Sequence, residues 1–166
     1  MTMTDRAIIE AAAALIKLCV QRSLKLATAE SCTGGLVAGA LTEIPGSSAV
    51  VDRGFVTYSN AAKQQMLGVS AETLRDHGAV SRQTAEAMAR GALGEANADV
   101  VVAITGIAGP DGGGPDKPVG LVHFVVASRA GDLIHAEKRY GDIGRAEVRH
   151  KSVLQALAML NEIVAK

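Results

Sequence analysis

The chain has 166 residues, the size of one ordinary domain, and 48% of them are hydrophobic while 20% are charged. This balance is typical of a folded protein rather than a disordered one. Its 17 Lys and Arg residues cancel its 17 Asp and Glu residues, so no net charge attracts it to nucleic acid or to an anionic membrane. We therefore expect neither nucleic acid nor a membrane as a partner.

No apolar run reaches the roughly 18 residues that a membrane span needs. The two cysteines, Cys19 and Cys32, form neither a disulfide framework nor a metal-ligand spacing. These features favour a soluble protein of the reducing cytoplasm, with no metal and no other cofactor.

The hydrophobic periodicity predicts alternating helices and strands in the first half of the chain. In chain order these are a helix from Asp5 to about Arg22, a strand from Leu24 to Glu30, a helix from about Gly35 to Thr42, a strand from Arg53 to Tyr58, and a helix that starts after Asn60 as N-cap.

The second half begins with helices and continues with strands. Its predicted elements are helices Ser70–His77 and Ser81–Asn97, strands Asp99–Thr105, Leu121–Ala127 and Leu133–Arg139, and a last helix from about Gly144 to Ala165. This order predicts one domain over residues 1–166, an α/β fold built as a three-layer α/β/α sandwich around a mixed sheet.

Three polar clusters follow the first three predicted strands. Their sequences are TAESCTGG, TYSNAAK and TGIAGPDGG. Ligands of open α/β sheets collect at the carboxyl ends of the strands. We therefore expect the three clusters to meet at one crevice.

The first cluster offers a nucleophile at a strand-to-helix corner. Ser31 lies at the corner, and Gly34 and Gly35 allow a tight bend with exposed N–H groups that stabilise an oxyanion in other enzymes. Alternatively, Ser31 and Thr33 only cap the following helix, which is the more common role of such residues. Cys32 is a rival nucleophile, although a cysteine here is more often a small buried residue.

A serine nucleophile needs a base, and none of the four histidines is well placed. Lys63, in the second cluster, remains, and Ser–Lys pairs are a known arrangement. A lysine acts as a base only when its pKa falls well below the usual value of about 10.4. The alternatives are that Lys63 is an exposed helix charge and that Tyr58, which could relay a proton, is an ordinary strand residue.

The third cluster, from Thr105 to Gly114, resembles a loop whose N–H groups form an anion nest. It is neither a Walker A loop nor a dinucleotide-binding fingerprint. Arg145, at the start of the last helix, could bind a phosphate, although an exposed helical arginine is more common.

Taken together, four segments resemble the C-terminal domain of the competence/damage-inducible CinA family. They are TAESCTGGLVAGALTEIPGSSAV, RGFVTYSNAAKQQMLGV, GAVSRQTAEAMARGAL and ADVVVAITGIAGPDGGGPDKPVG. The resemblance covers nearly the whole chain in order. It implies a nicotinamide mononucleotide amidohydrolase that releases ammonia and leaves nicotinate mononucleotide, in pyridine nucleotide recycling.

The resemblance also implies roles for individual residues. It makes Ser31 the nucleophile, Lys63 its base and Tyr58 a further catalytic residue. The matching substrate-binding positions are Thr33, Gly34, Ser48, Thr105, Gly106, Ala108 and, near the phosphate, Arg145. Gly112 to Pro115 lies where the family varies, so no role is assigned to it.

The residues and the resemblance both indicate an acyl-transfer mechanism without a metal or cofactor, and the resemblance suggests a homodimer acting on a small nucleotide. One alternative is a non-catalytic nucleotide-binding or regulatory module linked to competence or DNA damage. Another keeps the amidase chemistry but acts on a different small carboxamide.

Overall fold

Five strands form one mixed sheet in the computed structural model, which describes residues 5–166. The strands are β1 (Leu26–Glu30), β2 (Val51–Val56), β3 (Val100–Gly106), β4 (Leu121–Ser128) and β5 (Leu133–Arg139). Their order in the sheet is β2-β1-β3-β4-β5. The strands β2, β1 and β3 are parallel, and β4 and β5 extend the sheet as antiparallel neighbours.

Helices cover both faces of this sheet. They are α1 (Arg6–Arg22), α2 (Leu36–Thr42), α3 (Asn60–Leu67), α4 (Ala71–His77), α5 (Arg82–Glu95) and α6 (Arg145–Val164). One buried cluster joins α1, α2 and α6 to one face, and a second joins α5 and the end of α3 to the other. The predicted three-layer α/β/α sandwich is confirmed.

Local chemistry explains where the helices begin. Asp5 caps α1 by accepting the N–H groups of Ala7 and Ile8. The serines before α3, α4 and α5 each accept an N–H three residues further on, which is the usual N-cap contact. The predicted cap of α3 was wrong by one residue, because Ser59 is the cap and Asn60 is the first helical residue.

Strand β2 lies two residues earlier than its predicted range. It spans Val51–Val56, and Thr57 and Tyr58 lie outside it. The Thr57 N–H still bonds to Glu30, but its carbonyl turns to the side chain of Lys63. The predicted strand residue Tyr58 therefore belongs to a loop.

The register of the parallel strands brings the three polar clusters together. Glu30, the last residue of β1, pairs with Val56 on one side and with Ile104 on the other. The segments that follow these three residues therefore leave the sheet at the same edge, as expected.

Candidate active site

A cavity of about 240 Å³ lies at this edge of the sheet. Most of the predicted site residues line it, namely Ser31, Tyr58, Lys63, Thr105, Gly106, Ala108 and Arg145. Cys32 and three residues that were not predicted as site residues, Asn60, Ala79 and Val80, complete the wall. The convergence of the three clusters places a hydroxyl, an amine, a phenol and a guanidinium around one small space.

Ser31 is the first residue after β1 and is almost buried. Its N–H donates to the carbonyl of Ile104, and its own carbonyl accepts the N–H of Gly34, each at 3.0 Å. Gly34 and Gly35 have φ values of +58° and +97°, which side chains rarely tolerate. The two glycines thus allow the sharp turn that presents Ser31 to the cavity.

The amine of Lys63 lies beside the hydroxyl of Ser31. Its Nζ is 3.1 Å from Ser31 Oγ and 3.0 Å from the carbonyl oxygen of Thr57. Only 1% of Lys63 is exposed, and within residues 5–166 it forms no salt bridge. The alternative of an exposed helix charge is therefore wrong.

Burial controls the protonation of this amine. Removal from water disfavours the ammonium ion, so the pKa of Lys63 is lowered from its usual value. The Thr57 carbonyl only accepts, so it takes one N–H of the amine. A neutral Lys63 then keeps a lone pair that can accept the proton of the Ser31 hydroxyl.

Cys32 lies next to Ser31 and also lines the cavity. Its thiol is buried, and burial raises its pKa to about 12. Because the thiolate is the reactive form, Cys32 is a poor nucleophile near neutral pH.

The cap of helix α2 is a residue that sequence reasoning missed. Glu30 is completely buried, and its carboxylate accepts the N–H groups of Gly35, Val37 and Ala38 at 2.8 to 3.1 Å. Ser31 makes no capping bond, and the buried Thr33 hydroxyl has no partner within residues 5–166. The capping alternative is therefore wrong, since Glu30 takes that role.

Arg145 joins two of the clusters. It donates to the hydroxyl of Tyr58 at 2.8 Å and to the carbonyl of Gly109 at 3.0 Å. The Tyr58 hydroxyl thus contacts Arg145, and within the described chain it forms no hydrogen bond with Lys63. The phenol and the guanidinium form the exposed rim of the cavity.

Thr105 and Gly106 of the third cluster line the cavity and also fix the segments next to it. Thr105 Oγ1 donates to the carbonyl of Ala79 at 2.7 Å and so fixes the segment before α5. Gly106 has no room for a side chain, because a Cβ would lie 2.8 Å from the carbonyl oxygen of Leu121. The stretch from Gly112 to Pro115 lines a separate open cleft and does not line the cavity.

Three predicted substrate-binding residues do not line the cavity. Thr33 and Gly34 belong to the turn that follows Ser31. Ser48 is exposed and lies just before β2, whose first residue pairs with the first residue of β1. Ser31 follows the last residue of β1, so the cavity lies at the carboxyl ends of the parallel strands. Ser48 lies at their amino ends, and the structure does not bring it to this cavity.

The structure adds a second arginine that sequence reasoning missed. Arg149 lies one helical turn after Arg145 and donates to the carbonyls of Cys32 and Thr33. Its only sequence signal is the four-residue spacing that places both arginines on one face of α6.

Among residues 5–166, no three His, Cys, Asp or Glu side chains are grouped so that they could hold a metal ion. Over the same range, no helix is both long and apolar enough to cross a membrane.

The fold is an α/β sandwich, and a serine hydroxyl meets a buried lysine amine at the carboxyl ends of its parallel strands. This is the arrangement of a serine nucleophile with a lysine base. Residues 9–164 match the model of the CinA C-terminal domain. The chain belongs to this family.

Similar proteins fall into two sizes. A "Nicotinamide-nucleotide amidohydrolase PncC" of Escherichia coli is 48% identical over 159 residues, which cover 95% of each chain. A "Putative competence-damage inducible protein" of Symbiobacterium thermophilum is 50% identical over 153 residues, but the match covers only 35% of that longer protein.

A solved structure gives the same fold. It is that of the competence/damage inducible protein CihA from Agrobacterium tumefaciens, which has a TM-score of 0.96 and 57% identity over the full length of both chains.

Proposed function

We propose that this chain is an amidohydrolase that converts nicotinamide mononucleotide and water to nicotinate mononucleotide and ammonia. The observation that carries the proposal is the buried Lys63 amine, 3.1 Å from the hydroxyl of Ser31. The name of the Escherichia coli relative, which has nearly the same length, supports the substrate class.

Acylation begins when neutral Lys63 takes the proton of Ser31. Ser31 Oγ then forms a bond to the carboxamide carbon, and Lys63 returns the proton to the nitrogen that leaves as ammonia. Water hydrolyses the resulting ester, again with Lys63 as the base. Burial lowers the pKa of Lys63 and so favours the neutral amine that both proton transfers use.

The turn after Ser31 supplies donors for the oxyanion. Within the described chain, the N–H groups of Cys32 and Thr33 donate to no backbone carbonyl and to no side chain of another residue. In a nucleophile elbow, the N–H after the nucleophile is one of the usual oxyanion donors. These two groups therefore take that role in the proposed mechanism.

The Arg145 guanidinium at the rim of the cavity favours a substrate that carries a phosphate. Arg145 uses part of its guanidinium for Tyr58 and Gly109, and its further N–H groups remain for an anion. The cavity of about 240 Å³ is small, so the pyridine ring enters it while the phosphate stays at the rim.

The experiment is an ammonia assay with the purified protein and a panel of carboxamides. The panel contains nicotinamide mononucleotide, its riboside without phosphate, free nicotinamide, NAD and glutamine. We expect fastest release from the mononucleotide. No release from any compound would favour the non-catalytic nucleotide-binding module, and fastest release from another member would keep the amidase but change its substrate.

We also propose that the protein acts in the cytoplasm as a homodimer. Two free, buried cysteines suit a reducing compartment. Strand β2 is an edge strand, and the exposed apolar side chains Val56, Tyr58 and Met66 lie on or after it. Light scattering of the purified protein tests the dimer, and a monomer at micromolar concentration would contradict it.

A further inference from the structure

The turn that carries Ser31 is fixed from two sides by charged side chains. Glu30 binds N–H groups at the start of α2, as described above. On the other side, Arg149 Nε donates to the carbonyl of Cys32 at 3.1 Å, and its Nη2 donates to the carbonyl of Thr33 at 3.3 Å. Arg149 reaches the turn from α6, which is more than a hundred residues away along the chain.

Gly34 makes room for this contact. A Cβ on Gly34 would lie 3.3 Å from Arg149 Nη2, and the residue has a φ of +58°. The glycine therefore serves the approach of the guanidinium as well as the bend of the backbone.

The contacts fix the directions of two peptide groups. In a trans peptide the carbonyl and the N–H point in opposite directions. The carbonyl of Ser31 is held by the Gly34 N–H, which directs the Cys32 N–H away from it. The carbonyl of Cys32 is held by Arg149, which directs the Thr33 N–H away from the guanidinium.

A cation on the carbonyl also strengthens the donor at the other end of the peptide. Hydrogen bonds in a chain polarise one another, and the effect is larger in a site with little water. Arg149 is partly buried in this position. A side chain that does not line the cavity thus orients the Thr33 N–H and makes it a stronger hydrogen-bond donor.

We propose that Arg149 is a positioning residue for acyl transfer at Ser31, acting through the Cys32 carbonyl on the Thr33 N–H that receives the oxyanion, while its bond to the Thr33 carbonyl holds the turn. The inference rests on the proposed function, because it assumes that Ser31 is the nucleophile. It predicts an effect on kcat rather than on substrate binding, since an oxyanion forms only in the transition state.

The matched control is Arg129, which also binds backbone carbonyls but at the opposite edge of the sheet. It donates to Leu93, Ala96 and Ala98 at 2.6 to 2.7 Å. Arg129→Ala should lower the melting temperature and leave kcat within about twofold. A purely structural Arg149 would behave in the same way.

We expect Arg149→Ala to lower kcat by about 100-fold, comparable with the loss of one oxyanion donor. KM for nicotinamide mononucleotide should change by less than about threefold. Free guanidinium at a concentration too low to unfold the protein should restore part of kcat. If Arg149→Ala does not fold by circular dichroism, Arg149→Lys decides, with a smaller fall in kcat because an ammonium cannot bind both carbonyls in fork geometry.

A fluorophosphonate probe separates this inference from the choice of substrate. Ser31 Oγ forms a bond to phosphorus, the P–F bond breaks, fluoride leaves, and the hydroxyl proton passes to Lys63. Labelling of Ser31, followed by mass spectrometry, should be at least about tenfold slower in Arg149→Ala than in wild type and unchanged in Arg129→Ala.

If the probe labels wild-type Ser31 but the protein releases no ammonia, the proposed function is wrong. The role of Arg149 is then tested by the labelling rates alone. Equal labelling rates for wild type and Arg149→Ala would overturn the positioning role, as would a variant in which only KM changes. Failure of the probe to label wild-type Ser31 would overturn it too.

Discussion

The Nζ atom of Lys63 lies 3.1 Å from Oγ of Ser31, although the two residues are 32 positions apart in the chain, and the amine is almost completely buried. Within residues 5–166 no carboxylate pairs with this amine. A buried amine without an acidic partner is more stable in its neutral form. Burial lowers the pKa of this amine and so favours the neutral form that the proposed acyl transfer needs.

The first prediction concerns Lys63→Arg. A guanidinium stays protonated, so the variant should fold but lose turnover, whereas the wild-type rate should rise with pH through the lowered pKa of Lys63. The measurement is a pH–rate profile of both proteins with circular dichroism as the control. A folded Lys63→Arg protein with most of the wild-type activity would remove Lys63 as the base.

The same pKa shift predicts how stability depends on pH. Between the lowered folded pKa of Lys63 and its unfolded value of 10.5, the unfolded chain binds more protons. The free energy of unfolding should therefore fall as pH decreases through this window and level off below the folded pKa. Urea unfolding across this range should show that Lys63→Met loses this part of the pH dependence.

The position of Arg145 beside Tyr58 at the rim predicts that it binds the phosphate of the substrate. Arg145→Ala removes the charged rim, so KM for nicotinamide mononucleotide should rise about 10- to 100-fold, while the riboside, which has no phosphate, should be affected far less. Lys151→Ala removes an exposed charge from the same helix and should leave KM unchanged. An equal rise in KM for both substrates in Arg145→Ala would contradict a contact between Arg145 and the phosphate.

The cap of α2 predicts a loss of stability. Glu30→Gln replaces one accepting oxygen with an amide that faces backbone donors, so unfolding should become easier by about 1.5–3 kcal/mol. Glu43→Gln, at the exposed end of the same helix, is the control and should change stability by less than about 0.5 kcal/mol. Equal urea midpoints for Glu30→Gln and wild type would show that the carboxylate is not needed as a cap.

Periodicity and turn chemistry predicted the sandwich and the meeting of three clusters, because these depend on local patterns and on the rule for parallel strands. Glu30 was missed because it stands in a strand whose residues are all buried, and nothing local shows that its carboxylate turns back to the next helix. Arg149 was missed because only the packing of α6 brings it to the turn. Ser48 came from resemblance alone, and the strand register separates it from Ser31 within one chain.

The mechanism predicts that chelators do not affect turnover. Prolonged treatment with EDTA should leave the rate of ammonia release unchanged, since the proposed proton transfers use only Ser31 and Lys63. Loss of activity that a divalent ion restores would contradict the metal-free mechanism.

The most direct test of the central claim compares ammonia release from nicotinamide mononucleotide by wild type, Ser31→Ala and Cys32→Ala. The buried thiol, with a pKa of about 12, should contribute little, so Cys32→Ala should keep most of the turnover. Ser31→Ala should lose at least about a thousandfold, because it removes the hydroxyl that is hydrogen-bonded to the Lys63 amine. An active Ser31→Ala protein, or an inactive but folded Cys32→Ala protein, would contradict the assignment of Ser31 as the nucleophile.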